Sequence, residues 1–172
     1  MTVLVTGGAG YIGSHMVLNL VDRGVPAIVL DDLSTGFRWA VPPGVSFVEG
    51  DAGDTPFVER LIKEHGVQSV IHFAAKIVVP DSVSDPLGYY RSNTMKTRNL
   101  LEAVVNGGAK RFVFSSTAAV YGNPPVNPVG EDIAPAPMSP YGASKLMSEW
   151  MLRDTAAAHD LHYVVLRYFN VA

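Results

Sequence analysis

The amino-acid sequence predicts an α/β domain built on a doubly wound parallel sheet, and three observations carry that prediction. Short apolar runs alternate with segments of helical periodicity along the chain. A glycine-rich turn joins the first apolar run to the first helical segment. Prolines are concentrated elsewhere, six of the twelve falling between Pro124 and Pro140.

In chain order, residues 3–5 form the first strand. Ile12, Met16 and Leu20 recur at every fourth position on a helix that closes at Gly24. Residues 27–30 are the second strand, and residues 45–48, after the turn Pro42-Pro43-Gly44, are the third. Thr55 reads as the cap and Pro56 as the first-turn residue of a helix presenting Val58, Leu61, Ile62 and His65. Residues 70–73 make the fourth strand, residues 93–105 a long helix ending near Gly107 and Gly108, and residues 111–115 the fifth strand. Ala143, Leu146, Met147, Trp150 and Met151 repeat the i, i+3, i+4, i+7 spacing of a buried helix face. Residues 163–168 are the sixth strand, and Trp39 and Trp150 read as packing residues. The proline-rich stretch is long for a compact domain. It is either a mobile linker or a loop over an active site, and its position just before a tyrosine–lysine motif favours the loop.

Composition sets outer bounds. A length of 172 residues fits one domain, and a 48% hydrophobic share is enough to fill a core. A formal net charge of −3 leaves no basic footprint, so nucleic acid is not expected as a partner. With no cysteine, disulfides, thiolate metal sites and a cysteine nucleophile are excluded, and a cytoplasmic location is expected. The apolar runs are strand-sized, so no membrane association is expected, and no basic leader precedes the first strand. His15, His65, His72, His159 and His162 lack metal-ligand spacing within a helix, so structural or surface roles and no metal site are expected. The sequence stops at Asn170-Val171-Ala172, directly after an apolar run.

The turn Thr6-Gly7-Gly8-Ala9-Gly10-Tyr11-Ile12-Gly13 satisfies Gly8-x-Gly10-x-x-Gly13 and also the spacing Gly7-x-x-Gly10-x-x-Gly13. It lies between a strand and a helix, the context in which glycines let a pyrophosphate approach the backbone and the helix N-terminus. Asp31, at the end of the second strand, is placed to bind both hydroxyls of a ribose and to repel a 2′-phosphate. Asp32 adds a second negative charge, and no arginine follows until Arg38. NAD is therefore expected rather than NADP, on a Rossmann-type fold; the alternative for Asp31 is a solvated acidic turn.

Tyr141-Gly142-Ala143-Ser144-Lys145 places a phenol and an ammonium four residues apart, on one face of a helix. A free phenol, with a pKa of about 10, is a weak base, and a drop of about 3 units needs about 4 kcal/mol of differential stabilisation. A lysine together with a positively charged nicotinamide is a plausible source. Alone, the pair is equally a surface tyrosine and a solvated lysine. Ser115-Ser116-Thr117 follows the fifth strand, where an open α/β sheet places its ligand, and a hydroxyl there can hold a substrate alcohol or merely cap the loop.

Taken together these motifs resemble the extended short-chain dehydrogenase/reductases that act on nucleotide sugars, and within them the epimerase branch. The likeness runs through Thr6 to His15, His72-Phe73-Ala74-Ala75-Lys76, Asp85-Pro86-Leu87 with Tyr89-Tyr90 and Asn93, Ser115-Ser116-Thr117 with Val120-Tyr121-Gly122, Tyr141 to Lys145, and Arg167-Tyr168-Phe169-Asn170-Val171-Ala172. The resemblance implies that Gly7, Gly10 and Gly13 cradle NAD, with Tyr11 and Ile12 at the pyrophosphate. Asp31, Asp32, Leu33, Ser34, Thr35 and Gly36 would surround the adenosine ribose, and Asp51 and Ala52 the adenine. Phe73, Ala74, Ala75 and Lys76 would line the cofactor, Lys76 as a phosphate partner, with Asn93 touching cofactor or an ordered water. Thr117, supported by Ser116, would bind the sugar 4-hydroxyl, Tyr141 would be the base, and Lys145 would bind the nicotinamide ribose and lower the tyrosine pKa. Phe169 and Asn170 would approach nicotinamide and substrate.

The activity implied is interconversion of UDP-galactose and UDP-glucose by transient oxidation at C4. The related dehydratases carry an Asp-Glu pair where this chain has Ala118 and Ala119, which disfavours dehydration. A decarboxylase, another sugar epimerase or a non-catalytic NAD-binding fragment remain alternatives. The resemblance further implies that residues 1–172 are an NAD-binding domain without its C-terminal substrate domain, with apolar surface exposed near the chain end. It also implies a homodimer in the full-length form, paired through the helices beginning near Asn93 and Tyr141.

Overall fold

A computed structural model describes residues 1–171; Ala172, the last residue of the closing motif, lies outside the described residues. Six strands form one sheet, β1 (Thr2–Thr6), β2 (Ala27–Asp31), β3 (Ser46–Glu49), β4 (Val67–His72), β5 (Arg111–Thr117) and β6 (His162–Tyr168). Every pairing is parallel and the order is β3-β2-β1-β4-β5-β6. The helices are α1 (Tyr11–Asp22), α2 (Thr55–His65), α3 (Val79–Ser84), α4 (Pro86–Tyr89), α5 (Lys96–Gly107) and α6 (Pro140–Ala158). The expected α/β architecture is present. Because the order reverses at β1 and β4, the crevice of the sheet opens at their carboxyl ends.

Alternation along the strands divides the core. Leu4, Leu30, Val70, Phe112 and Phe114 face α2, α5 and α6, where they meet Val58, Ile62, Leu100, Val104 and Leu152. Val3, Val5, Val29 and Ile71 face the other way, with Val17 of α1. A strand buried on both faces reads as a continuous apolar run, which is why the central strands were legible as short hydrophobic segments.

Helix ends differ in detail from the sequence reading. Asp54, not Thr55, caps α2: its Oδ1 accepts from the Phe57 amide at 3.1 Å, and Thr55 instead donates its hydroxyl to the Asn99 carbonyl at 3.1 Å. The α2 and α5 helices end at Gly66 and Gly108, both left-handed. The expected helix from Asn93 begins as a wide turn of π type over Tyr90–Met95, and α5 proper starts at Lys96.

The largest correction concerns α6. Its buried face is Tyr141, Ser144, Lys145, Leu146, Ser148, Glu149 and Leu152, whereas Met147 is 40% and Trp150 50% exposed. The apolar periodicity misled because the seat of this helix is polar: Ser148 donates to the Asn93 carbonyl and Ser144 accepts from the Asn93 amide. Trp39, also expected to pack, is 80% exposed and stacks only on Phe37.

The proline-rich segment between the 3₁₀ turn Ala118–Tyr121 and α6 has no helix or strand. Val129 and Ile133 pin it against Val120, Tyr121 and Leu146, so it is an anchored loop. On the edge strand β6 and beyond it, Tyr163, Val164, Phe169 and Val171 are exposed, as expected near the chain end. Among the described residues no helix is long and apolar enough to cross a membrane.

Asp54→Ala is expected to lower unfolding free energy by about 1 kcal/mol, the usual cost of an N-cap, read as a shift in urea midpoint with unchanged slope.

Candidate active site

All six strands point the same way, so their carboxyl ends share one edge of the sheet. That edge gathers the residues singled out from the sequence: Gly7 to Gly13 after β1, Asp31 to Gly36 after β2, and Asp51 and Ala52 after β3. Phe73 to Lys76 follow β4, Ser116 and Thr117 end β5, and Phe169 and Asn170 follow β6. Tyr141 and Lys145 reach the same edge from the first turns of α6.

The glycine turn is closed by backbone contacts that side chains would prevent. Gly7 has φ +71°, and a Cβ there would lie 2.5 Å from the Ala74 amide nitrogen. A Cβ on Gly13 would strike the Gly7 carbonyl oxygen. Gly10 begins α1 without a side-chain cap, which leaves first-turn amides to bind an anion. A bare, uncapped helix start beside a turn that excludes Cβ atoms fits the pyrophosphate of a dinucleotide.

Asp31 does more here than the sequence reading assigned. Its Oδ2 accepts from the Ala9 amide and its Oδ1 from the Leu33 amide, each at 2.9 Å, which ties the glycine turn to the loop after β2. Leu33, in the left-handed region at φ 56°, is held there by that bond. Each carboxylate oxygen keeps a lone pair for a ribose hydroxyl. Asp32 is engaged by Ser34, whose hydroxyl donates at 2.5 Å and amide at 3.0 Å. Asp51 pairs with Lys96 at 2.7 Å.

Asn93 is a brace. Its Oδ1 accepts from the Lys76 amide, and its Nδ2 donates to the Lys76 carbonyl and to Ser144 Oγ, at 2.9, 2.9 and 3.1 Å. The side chain is 1% exposed and its hydrogen bonds go to protein groups, so it shapes the loop after β4, where contact with cofactor or an ordered water was expected. Lys76 itself is half exposed and lies 3.4 Å from Asp85.

Beneath this loop His72 is fully enclosed. The Thr97 hydroxyl gives its proton to the Asn93 carbonyl (2.6 Å), so it accepts from His72 Nε2–H (3.0 Å); His72 Nδ1 then accepts from the Thr6 hydroxyl (2.6 Å). Burial, with the Lys145 charge nearby, lowers the imidazole pKa to about 3. The structural role expected for this histidine is the one it has.

At the end of β5, Thr117 and Tyr141 stand together, both nearly buried. Burial pushes the Tyr141 phenol above its ordinary value, and the Thr117 hydroxyl beside it pulls it partly back. The Lys145 ammonium donates to the Ser115 carbonyl at 2.8 Å, and burial brings it down to about 8 against the pull of Glu149. Ser116, expected beside Thr117, turns toward α6. Its hydroxyl donates to Glu149 and is 3% exposed, so it holds protein and does not face a substrate. Glu149 and its partner Arg167, at 2.7 Å, were missed, although Glu149 follows Lys145 by four residues on the same helix face.

The model of the NAD dependent epimerase/dehydratase family matches residues 3–172. The chain belongs to this family. A UDP-glucose 4-epimerase of Azospirillum brasilense is 56% identical over 170 residues, covering 99% of this chain and 49% of the relative. One of Lacticaseibacillus casei is 46% identical over 172 residues, covering 100% and 52%. Among solved structures, UDP-glucose 4-epimerase from Brucella ovis in complex with NAD superposes with a TM-score of 0.96 at 46% identity, covering 98% of this chain and 52% of that one. The Thermotoga maritima UDP-glucose 4-epimerase with UDP-glucose gives 0.94 at 40%, covering 98% and 55%. The chain thus spans about half the length of the curated relatives it matches.

Two outcomes follow from this geometry. Gly13→Val is expected to abolish retention of NAD, read as nucleotide released on denaturation. Because the folded chain keeps His72 neutral while an unfolded histidine protonates below about pH 6.5, stability is lost as pH falls from about 6.5. The limiting slope is about 1.4 kcal/mol per pH unit. Urea unfolding between pH 7 and 5 is expected to show a shallower slope for His72→Gln.

Proposed function

We propose that the complete protein is a cytosolic, NAD-dependent 4-epimerase of UDP-galactose and UDP-glucose. The observation that carries this reading is the meeting of Tyr141, Thr117 and Lys145 on the sheet edge that also bears the glycine cradle and Asp31. The relatives, UDP-glucose 4-epimerases by name, support it.

Gly7, Gly10, Gly13, Tyr11 and Ile12 would hold the NAD pyrophosphate, Asp31 to Gly36 the adenosine ribose, Asp51 and Ala52 the adenine. Phe73 to Lys76, on the loop braced by Asn93, would line the remainder with Phe169. NAD held there would supply a reversible hydride acceptor and a positive charge.

The protein's own groups handle the proton. Thr117 orients the sugar 4-hydroxyl, and Tyr141 takes its proton. The buried phenol needs positive charge to act as a base, and one turn along α6 Lys145 supplies a cation with N–H donors beyond the one given to Ser115, suited to ribose hydroxyls. Asn170 would approach the substrate. Ala118 and Ala119, in the turn after Thr117, offer no proton donor for expelling water, which separates this reading from dehydration.

In the same reading, the half of the relatives' length not spanned here grips the nucleotide of the substrate. Two copies pair along the face of residues 90–107 and α6, where Met95, Met147 and Trp150 are exposed.

The test is conversion of UDP-galactose to UDP-glucose by the complete protein. Tyr141→Phe is expected to lower kcat on the order of 10²–10⁴-fold, as loss of a positioned base does, with NAD retained. A Tyr141→Phe enzyme keeping most of the rate would contradict the assignment.

A further inference from the structure

Tyr141, Lys145 and Thr117 serve the reaction proposed above, and one turn further along α6 stands a carboxylate with contacts of its own. Glu149 is buried on the same stripe, four residues after Lys145 and eight after Tyr141. It accepts from the Ser116 hydroxyl. The Arg167 guanidinium forks it, Nε donating at 3.2 Å to Oε1 and Nη2 at 2.7 Å to Oε2. Arg167 also donates from Nη1 to the Tyr121 hydroxyl at 2.7 Å and lies over that ring at 4.8 Å. In the sheet, Arg167 of β6 is the register partner of Ser116 of β5. One carboxylate therefore joins α6, β5, β6 and the turn after β5.

The pattern along β5 gives this network a meaning. The Ser115 carbonyl holds Lys145, the Ser116 hydroxyl holds Glu149, and the Thr117 hydroxyl stands beside Tyr141. Three consecutive strand residues engage three successive turns of one helix. A slide or rotation of α6 would break all three contacts and strand buried polar groups.

We propose that Glu149 is a positioning residue for the reaction: clamped by Ser116 and Arg167, it fixes the register of α6 on β5 and with it the seats of Lys145 and Tyr141. The inference rests on the reading of Tyr141 and Lys145 given above. The groups facing Lys145 are Glu149 of α6, neutral His72 of β4, and the Ser115 carbonyl and Phe114 ring of β5; Arg167 of β6 acts on it through Glu149. Burial already brings Lys145 down to about 8, with Glu149 opposing. Without that carboxylate the lysine would lose its proton nearer neutrality.

The experiment compares Glu149→Gln, Glu149→Asp and Ser116→Ala in the complete, NAD-loaded protein. Three readouts are taken: bound NAD, kcat and KM for UDP-galactose, and the Lys145 titration followed by NMR of lysine labelled at Cε. Glu149→Gln is expected to keep bound NAD and lose kcat on the order of 10²-fold, the effect of a small misplacement of reacting groups. Its Lys145 titration moves down by about one pH unit or more, and Glu149→Asp returns the titration toward the original value. Ser116→Ala keeps both charges. It is expected to lose kcat with little change in KM and no shift in the titration, and it carries the test of register if Glu149→Gln fails to fold.

Unchanged kcat and an unmoved Lys145 titration in Glu149→Gln would overturn the proposal. So would unchanged kcat in Ser116→Ala. If the unsubstituted protein turns over no UDP-galactose, the functional reading fails, while the Lys145 titration still decides the electrostatic claim.

Discussion

α6 meets the sheet and the 90–95 turn through Tyr141, Ser144, Lys145, Ser148 and Glu149, a buried stripe that stays polar for three turns before Leu152 joins the core. An apolar contact of that size would tolerate sliding, since dispersion and burial are not directional. A polar one does not, because each donor or acceptor left without its partner costs about 1–3 kcal/mol. Ser115, Ser116 and Asn93 therefore do more than fill space. They set where the first turn of α6 lies, and with it where Tyr141 stands relative to Thr117. The described residues bury no side-chain nitrogen or oxygen without a hydrogen-bond partner.

The same logic runs through the nucleotide side of the edge. Asp31 fastens the glycine turn to the loop after β2, and Asn93 fastens the loop after β4 to the wide turn before α5. His72 links these halves, since it contacts Thr6 at the end of β1 and, through Thr97, the carbonyl of Asn93. Charge is buried here only where it is answered: Lys145 by a carbonyl and a carboxylate, Glu149 by a guanidinium and a hydroxyl. Replacing such groups singly is costly because the partner is left behind. That makes the network a restraint on geometry more than a source of stability.

Much of this was legible in the sequence, and the gaps have physical causes. Strands buried on both faces announce themselves as short apolar runs, and glycines that must admit close backbone contact sit at fixed spacing, so the sheet and the cradle could be read directly. Tyr141, Lys145 and Thr117 were ambiguous singly and became candidates through the family resemblance, and the fold brings them to one edge of the sheet. Periodicity failed on α6 because it assumes that a buried face is apolar, whereas this face is serine, lysine and glutamate, leaving Met147 and Trp150 outside. The cap of α2 was misplaced by one residue because Asp54 and Thr55 both suit a cap and only the backbone distinguishes them. Ser116 and Thr117 looked equivalent in sequence. Alternation along β5 sends one hydroxyl to Glu149 and leaves the other with Tyr141. Asp31, Asn93 and His72 hold the site through partners 22, 17 and 66 residues away, which no local pattern reveals.

In the proposed reaction this edge moves a proton from the sugar 4-hydroxyl while the hydrogen on C4 leaves and returns without meeting solvent. The direct measurement is turnover of UDP-galactose carrying deuterium at C4, in ordinary water, by the complete protein. UDP-glucose that keeps the deuterium at C4 with inverted configuration is the expected product. Product that has exchanged that deuterium for solvent hydrogen would contradict it.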